Sequence, residues 1–139
     1  MTPLLWLLLT NPRHGTWRVE RFDTVQQDLV ATFGRSALIV NDLAVADKEQ
    51  MMNQLAAAFQ LPHWFGRNWD ALNDSMAERA AGSRWPDLVV FRPTLSDEAS
   101  GTQNLMTLAD ISTQVAEESK RWFLFVGAEP MSVPSLPTG

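Results

Sequence analysis

The chain has no cysteine, which excludes disulfides, thiolate zinc sites and a cysteine nucleophile, and fits a reducing compartment. Histidine is nearly missing as well. His14 and His63 are the only two, and neither stands at metal-ligand spacing or beside a nucleophile motif, so no metal or cofactor is expected. Basic residues are outnumbered, 11 against 16 acidic, for a formal charge of −5. That deficit argues against a surface that tracks phosphates, hence against direct nucleic-acid binding, and favours a basic partner. There is no Gly-rich phosphate loop, no internal repeat and no apolar run long enough to cross a bilayer. The opening Pro3-Leu4-Leu5-Trp6-Leu7-Leu8-Leu9 is too short to span, no basic residue precedes it, and no small-residue cleavage site follows. It reads as a buried strand rather than a signal peptide, and the expected location is the cytoplasm.

What is present describes a folded domain. With 139 residues, 45% apolar and 19% charged, the chain can bury one hydrophobic core and not comfortably two. Asn11-Pro12-Arg13-His14-Gly15 supplies a turn, and Thr16-Trp17-Arg18-Val19-Glu20 alternates like a half-buried strand, which together predict an N-terminal hairpin. Asp23 is placed to cap a helix over Thr24 to Phe33, with Gly34 at its left-handed stop. Ala37–Val40, Leu88–Phe91 and Trp122–Val126 are short continuous apolar runs, the pattern of strands covered on both faces in a parallel sheet.

Helical periodicity fills the gaps between these runs. One helix is predicted from Asp47 through Gln60, stopped by Pro62, and another from about Arg67 to Ala80, ended near Gly82. Leu105, Leu108, Ile111 and Val115 trace a third stripe, with Ser100 or Thr102 as cap and Lys120-Arg121 complementing the negative helix end. Strand, helix pair, strand, helix, strand is an α/β arrangement, a small three-stranded parallel sheet packed with about four helices. Residues 1–35 read as an accessory strand/helix unit packed on a domain of residues 36–127 that could stand alone. Residues 128–139, rich in Pro and Ser, read as a loose tail.

The stretch from Leu61 to Asp74 joins an aromatic turn to a helix carrying two aspartates one turn apart. At 100° per residue, with Asp70 at zero, Asp74 falls near 40° and Glu78 near 80°, whereas Trp69, Leu72 and Met76 fall at about 260°, 200° and 240°. The carboxylates therefore face outward and the apolar side chains inward. An ordinary solvated helix face looks the same, so phasing alone assigns no function.

Leu61-Pro62, Trp64-Phe65-Gly66, Asn68, Asp70-Ala71-Leu72 and Asp74 match, without a gap, ten positions of a signature, and the stretch resembles the barstar family of intracellular ribonuclease inhibitors. Weaker likeness over Ser36–Asp42 and Trp122–Val126 extends the resemblance to roughly two thirds of the chain. It implies a barstar-like fold and inhibition by plugging. A helix and the aromatic loop before it would enter a ribonuclease cleft, where carboxylates accept charge-assisted hydrogen bonds from cations that otherwise hold phosphate. Carried over residue by residue, the resemblance makes Asp74 the acid set deepest among the enzyme's basic groups and Asp70 its support. Trp64, Asn68 and Asn73 become partner-binding positions. Gly66 is expected to serve the backbone, at a turn a side chain would obstruct. Trp69 aligns with a contact position but lies on the apolar stripe, so core packing is expected of it, and Glu118 is expected to be solvated.

Departures from the family pattern bear on the target. Arg67 stands where the inhibitor has an acid, shares the aspartate face, and is within reach of an intrahelical ion pair with Asp70 that would soften the negative patch. Asn73 replaces a tryptophan, and Ala77-Glu78-Arg79 lacks the small-then-tryptophan continuation beyond the acids. Trp64 and Phe65 replace tyrosines while keeping rigid aromatic area suited to an interface. The expected partner is a basic ribonuclease or related toxin nuclease. A rival reading keeps the fold and changes the target to a different toxin nuclease or a non-nuclease protein, and the Leu- and Trp-rich opening could extend the sheet or make a homodimer. An enzyme using Asp70, Asp74 and His63 is not expected, since acid–base chemistry needs groups held in a cleft, and nothing in the pattern buries these acids.

Overall fold

Four runs rich in apolar, β-branched and aromatic residues become strands in the computed structural model, which describes residues 15–24, 26–62, 65–82, 85–94, 99–127 and 133. They are β1 (Thr16–Val19), β2 (Ala37–Leu43), β3 (Leu88–Pro93) and β4 (Trp122–Val126), in one sheet of order β1-β4-β3-β2 with every pairing parallel. The helices are α1 (Gln26–Phe33), α2 (Lys48–Ala58), α3 (Trp69–Ala80) and α4 (Ala99–Ser119). Among the described residues no helix is long and apolar enough to cross a membrane.

The continuous apolar character of β3 and β4 follows from burial on both faces. On one face Val89, Phe91, Phe123 and Phe125 join Met51, Met52 and Leu55 of α2, Leu72 and Met76 of α3, and Leu105, Leu108 and Val115 of α4. Phe91 anchors this layer, stacked 6.0 Å from Phe123 and tilted 5.0 Å from Phe125. On the other face Leu88, Val90 and Leu124 pack with Val19, Phe22 and Leu29. The segment carrying β1 and α1 therefore covers a face that α2, α3 and α4 leave open.

The sheet has four strands rather than three. β1 is not merely an arm of an accessory unit: it pairs with β4 in register, Thr16 opposite Phe123 and Val19 opposite Val126. Local alternation reveals a strand but not a partner more than a hundred residues away, which is why the sequence alone placed it in a hairpin. The first arm of that hairpin, on which the homodimer expectation also rests, lies outside the described residues. So do His14, His63, Trp64 and all of the tail except Val133, which is buried in the larger core and accepts a 3.4 Å hydrogen bond from Arg18 Nε through its carbonyl oxygen.

Helix ends differ in detail. Gly34 does take the left-handed conformation, with φ of +54°, and Asp47 caps α2 by accepting from the Gln50 amide at 3.0 Å. Asp23 instead lies within a 3-10 turn, Phe22–Thr24, ahead of α1. Ser100 and Thr102 are inside α4, and Arg121 serves a different helix from the one it follows.

Candidate functional site

The loop and helix singled out above are built around a tight entry. Phe65 donates its amide to the Pro62 carbonyl at 2.9 Å and buries its ring at 4% exposure. Its aromatic area therefore belongs to the core, not to an interface. Asn68 then caps α3, its Oδ1 accepting from the Ala71 amide at 2.8 Å while its carbonyl accepts from Leu72 at 3.0 Å. A side-chain oxygen here satisfies one of the first-turn amides that a helix cannot bond internally. Gly66 sits under this cap: a Cβ there would lie 3.2 Å from Asn68 Nδ2 and 3.7 Å from the Ala71 Cβ. Close approach, rather than a left-handed backbone, is what makes a side chain obstructive at Gly66.

α3 is held at both ends and along its inner face. Leu72, Met76 and Ala80 are buried in the larger core. Trp69 is partly buried against it, with Lys48 Nζ 5.6 Å from the ring centroid, so the indole packs inward as its phase predicted. Beyond the last turn, Arg121 of the β4 approach donates from Nη2 to the carbonyls of Ala80 at 3.1 Å and Gly82 at 2.9 Å. Its Nη1 reaches the Trp85 carbonyl and Asp87 Oδ1, both at 2.9 Å. Arg79 adds a hydrogen bond to the Gln60 carbonyl at the end of α2. The helix is thus a rigid element presented at fixed height above the core.

Its outer face carries Asp70, Asp74 and Glu78, all exposed, with Asn73 partly buried beside them. Among the described residues the carboxylates of Asp70 and Asp74 take part in no hydrogen bond or ion pair; the ion pairs described are Arg18–Glu20 and Arg121–Asp87. Like charges four residues apart on a helix repel by about 0.2–0.5 kcal/mol. Asp70 recovers part of that from the helix N-terminus, whereas Asp74 has no such compensation. A cationic partner would relieve both.

Arg67 does not pair with Asp70. It precedes the cap, so the helical phase assigned to it from sequence does not apply, and its donors go elsewhere. Nε donates to the Asn53 side-chain oxygen on α2, and Nη1 to the Phe65 carbonyl at 3.1 Å. The guanidinium remains exposed. Neither Asn53 nor Arg121 was identified as part of the site from the sequence, because hydrogen bonds between separate elements leave no periodic signal. Glu118 is exposed on α4, as expected.

A cleft of about 1040 Å³ opens on the flank of α3, lined among others by Arg35, Leu61, Pro62, Ser75, Glu78 and Trp85. Asp70 and Asp74 do not line it, and both are exposed. Among the described residues no group of three or more His, Asp or Glu is placed to hold a metal ion. A family model described as Barstar (barnase inhibitor) matches residues 36–127. Searches of curated proteins and of solved structures found no match.

Proposed function

Because this chain belongs to the barstar family, whose model spans residues 36–127, we propose that it is a cytoplasmic, non-catalytic inhibitor that blocks the cleft of a basic ribonuclease. In this reading α3 enters the cleft, Asp74 accepts hydrogen bonds deepest among the cations that hold phosphate, and Asp70 supports it one turn earlier. Trp64, Asn68 and Asn73 make contacts around them, with Asn68 doing so in addition to capping the helix. The observation that carries the reading is the pair of exposed carboxylates without a partner among the described residues, on a helix fixed at both ends. Acceptor-only groups held rigidly lose little entropy on binding and gain charge-assisted hydrogen bonds once water is excluded. The overall charge of −5 would speed encounter with a basic enzyme.

Titration against a panel of small microbial ribonucleases, barnase included, tests it. One-to-one inhibition of at least one enzyme is expected, and Asp74→Ala is expected to weaken it by about 100-fold or more, because removing one member of a desolvated pair strands the other charge. No inhibition anywhere, or an unaffected variant, would overturn the reading. The second reading, a different toxin nuclease or a non-nuclease protein as target, is favoured by one feature: the exposed Arg67 just before the cap of the helix that carries Asp70 and Asp74.

A further inference from the structure

We infer that Arg67 sets which partner this site accepts: the partner surface places cations opposite Asp70 and Asp74 and a carboxylate opposite the Arg67 guanidinium. The inference rests on the inhibitory role proposed for α3 and specifies the charge pattern of its partner. Arg67 is exposed, yet it is not a free-swinging surface charge. Its Nε is bonded to Asn53 on α2 and its Nη1 to the Phe65 carbonyl, so two of the three guanidinium nitrogens are tethered while Nη2 makes no hydrogen bond among the described residues. Among the described residues no carboxylate neutralises it, although Asp70 is three residues along the chain. Two hydrogen bonds hold the cation, and neither is to an acid.

A fixed, uncancelled charge acts on partners in both directions. A cleft that is wholly basic would desolvate Arg67 against like charge, which is unfavourable and cannot be relieved by rotating the side chain away. A cleft with a carboxylate at that point gains a charge-assisted bond, bidentate if it meets the planar fork end on, without further ordering of the arginine. The carboxylates of α3 supply affinity for a basic cleft, and Arg67 rejects those basic clefts that lack the acid.

Barnase is the probe, with inhibition constants measured for the wild type, Arg67→Gln, Arg67→Glu and Asn53→Ala at low and high salt. Arg67→Glu is expected to inhibit barnase at least roughly tenfold more strongly than the wild type at low salt, with Arg67→Gln between them. The gap should narrow as salt rises, because screening acts on charge and not on loop shape. Asn53→Ala, which releases one tether but keeps the charge, should recover only part of that gain. A variant Arg67→Glu that inhibits no better, or an Asn53→Ala gain equal to it, would overturn the inference. If Asp74→Ala still abolishes measurable wild-type inhibition in that case, the proposed function survives alone. If neither the wild type nor any variant inhibits barnase or the rest of the panel, both fall.

Discussion

A single methyl group at position 66 would press on the cap that starts α3. The Gly66 backbone is not left-handed, so its conformation would admit alanine; the obstruction is the Asn68 amide 3.2 Å from where the Cβ would lie. That amide cannot move freely, because the other end of the same group is bonded to the Ala71 amide. Gly66→Ala is therefore expected to destabilise the protein by about 1 kcal/mol, the typical value of a side-chain cap, and Asn68→Ala by a similar amount. Both act through one cap, so the double variant should cost little more than either single one. Denaturant midpoints of the three proteins check this, and fully additive effects would show that Gly66 acts through something other than Asn68.

At the scale of elements, the position of α3 depends on a residue that belongs to none of the neighbouring helices. Arg121 is 11% exposed in its side chain and holds the Ala80 carbonyl at the end of α3, the Gly82 carbonyl just past it, the Trp85 carbonyl and Asp87. Asp87 is half exposed, so the ion pair itself contributes little, and the carbonyl bonds dominate. Arg121→Met should cost about 3 kcal/mol, since two partly buried carbonyls, those of Ala80 and Trp85, lose a charged donor. Arg121→Lys should recover only part, lacking the fork that reaches several acceptors at once. A loss below about 1 kcal/mol for Arg121→Met would show that Arg121 does not hold the end of α3. The clamp also marks where sequence reading stops. The bounds of β4, the inward stripe of α3 and the outward aspartates were legible because periodicity and burial are local. Arg121 read as complement to the end of α4, and Arg67 as an ion-pair partner of Asp70, because each was judged against residues of its own segment. Their partners lie 34–41 residues away for Arg121 and 14 away for Asn53. The strand at Thr16–Val19 was legible, but its pairing with β4 was not, for the same reason at longer range.

For the whole molecule, the family match begins at residue 36, yet the described chain before it supplies an edge strand and the cover for a sheet face. Val19, Phe22 and Leu29 are nearly fully buried against Leu88, Val90 and Leu124. Removing residues 1–35 would return the last three to water and open the β4 edge. At about 2 kcal/mol for each large apolar side chain exposed, the remaining domain loses about 6 kcal/mol. That is comparable with the entire stability of an ordinary domain, about 5–15 kcal/mol. An apolar face beside an unpaired parallel strand is also a template for self-association. A chain starting at Ser36 should therefore melt well below the full protein, or self-associate, even though it contains the whole family match and both aspartates. Light scattering after size exclusion, with a thermal melt of each form, decides the matter. A truncated chain that is monomeric and melts within a few degrees of the full protein would mean that the first 35 residues are dispensable to the fold. Their cover of the sheet would then have to be explained by a role other than stability.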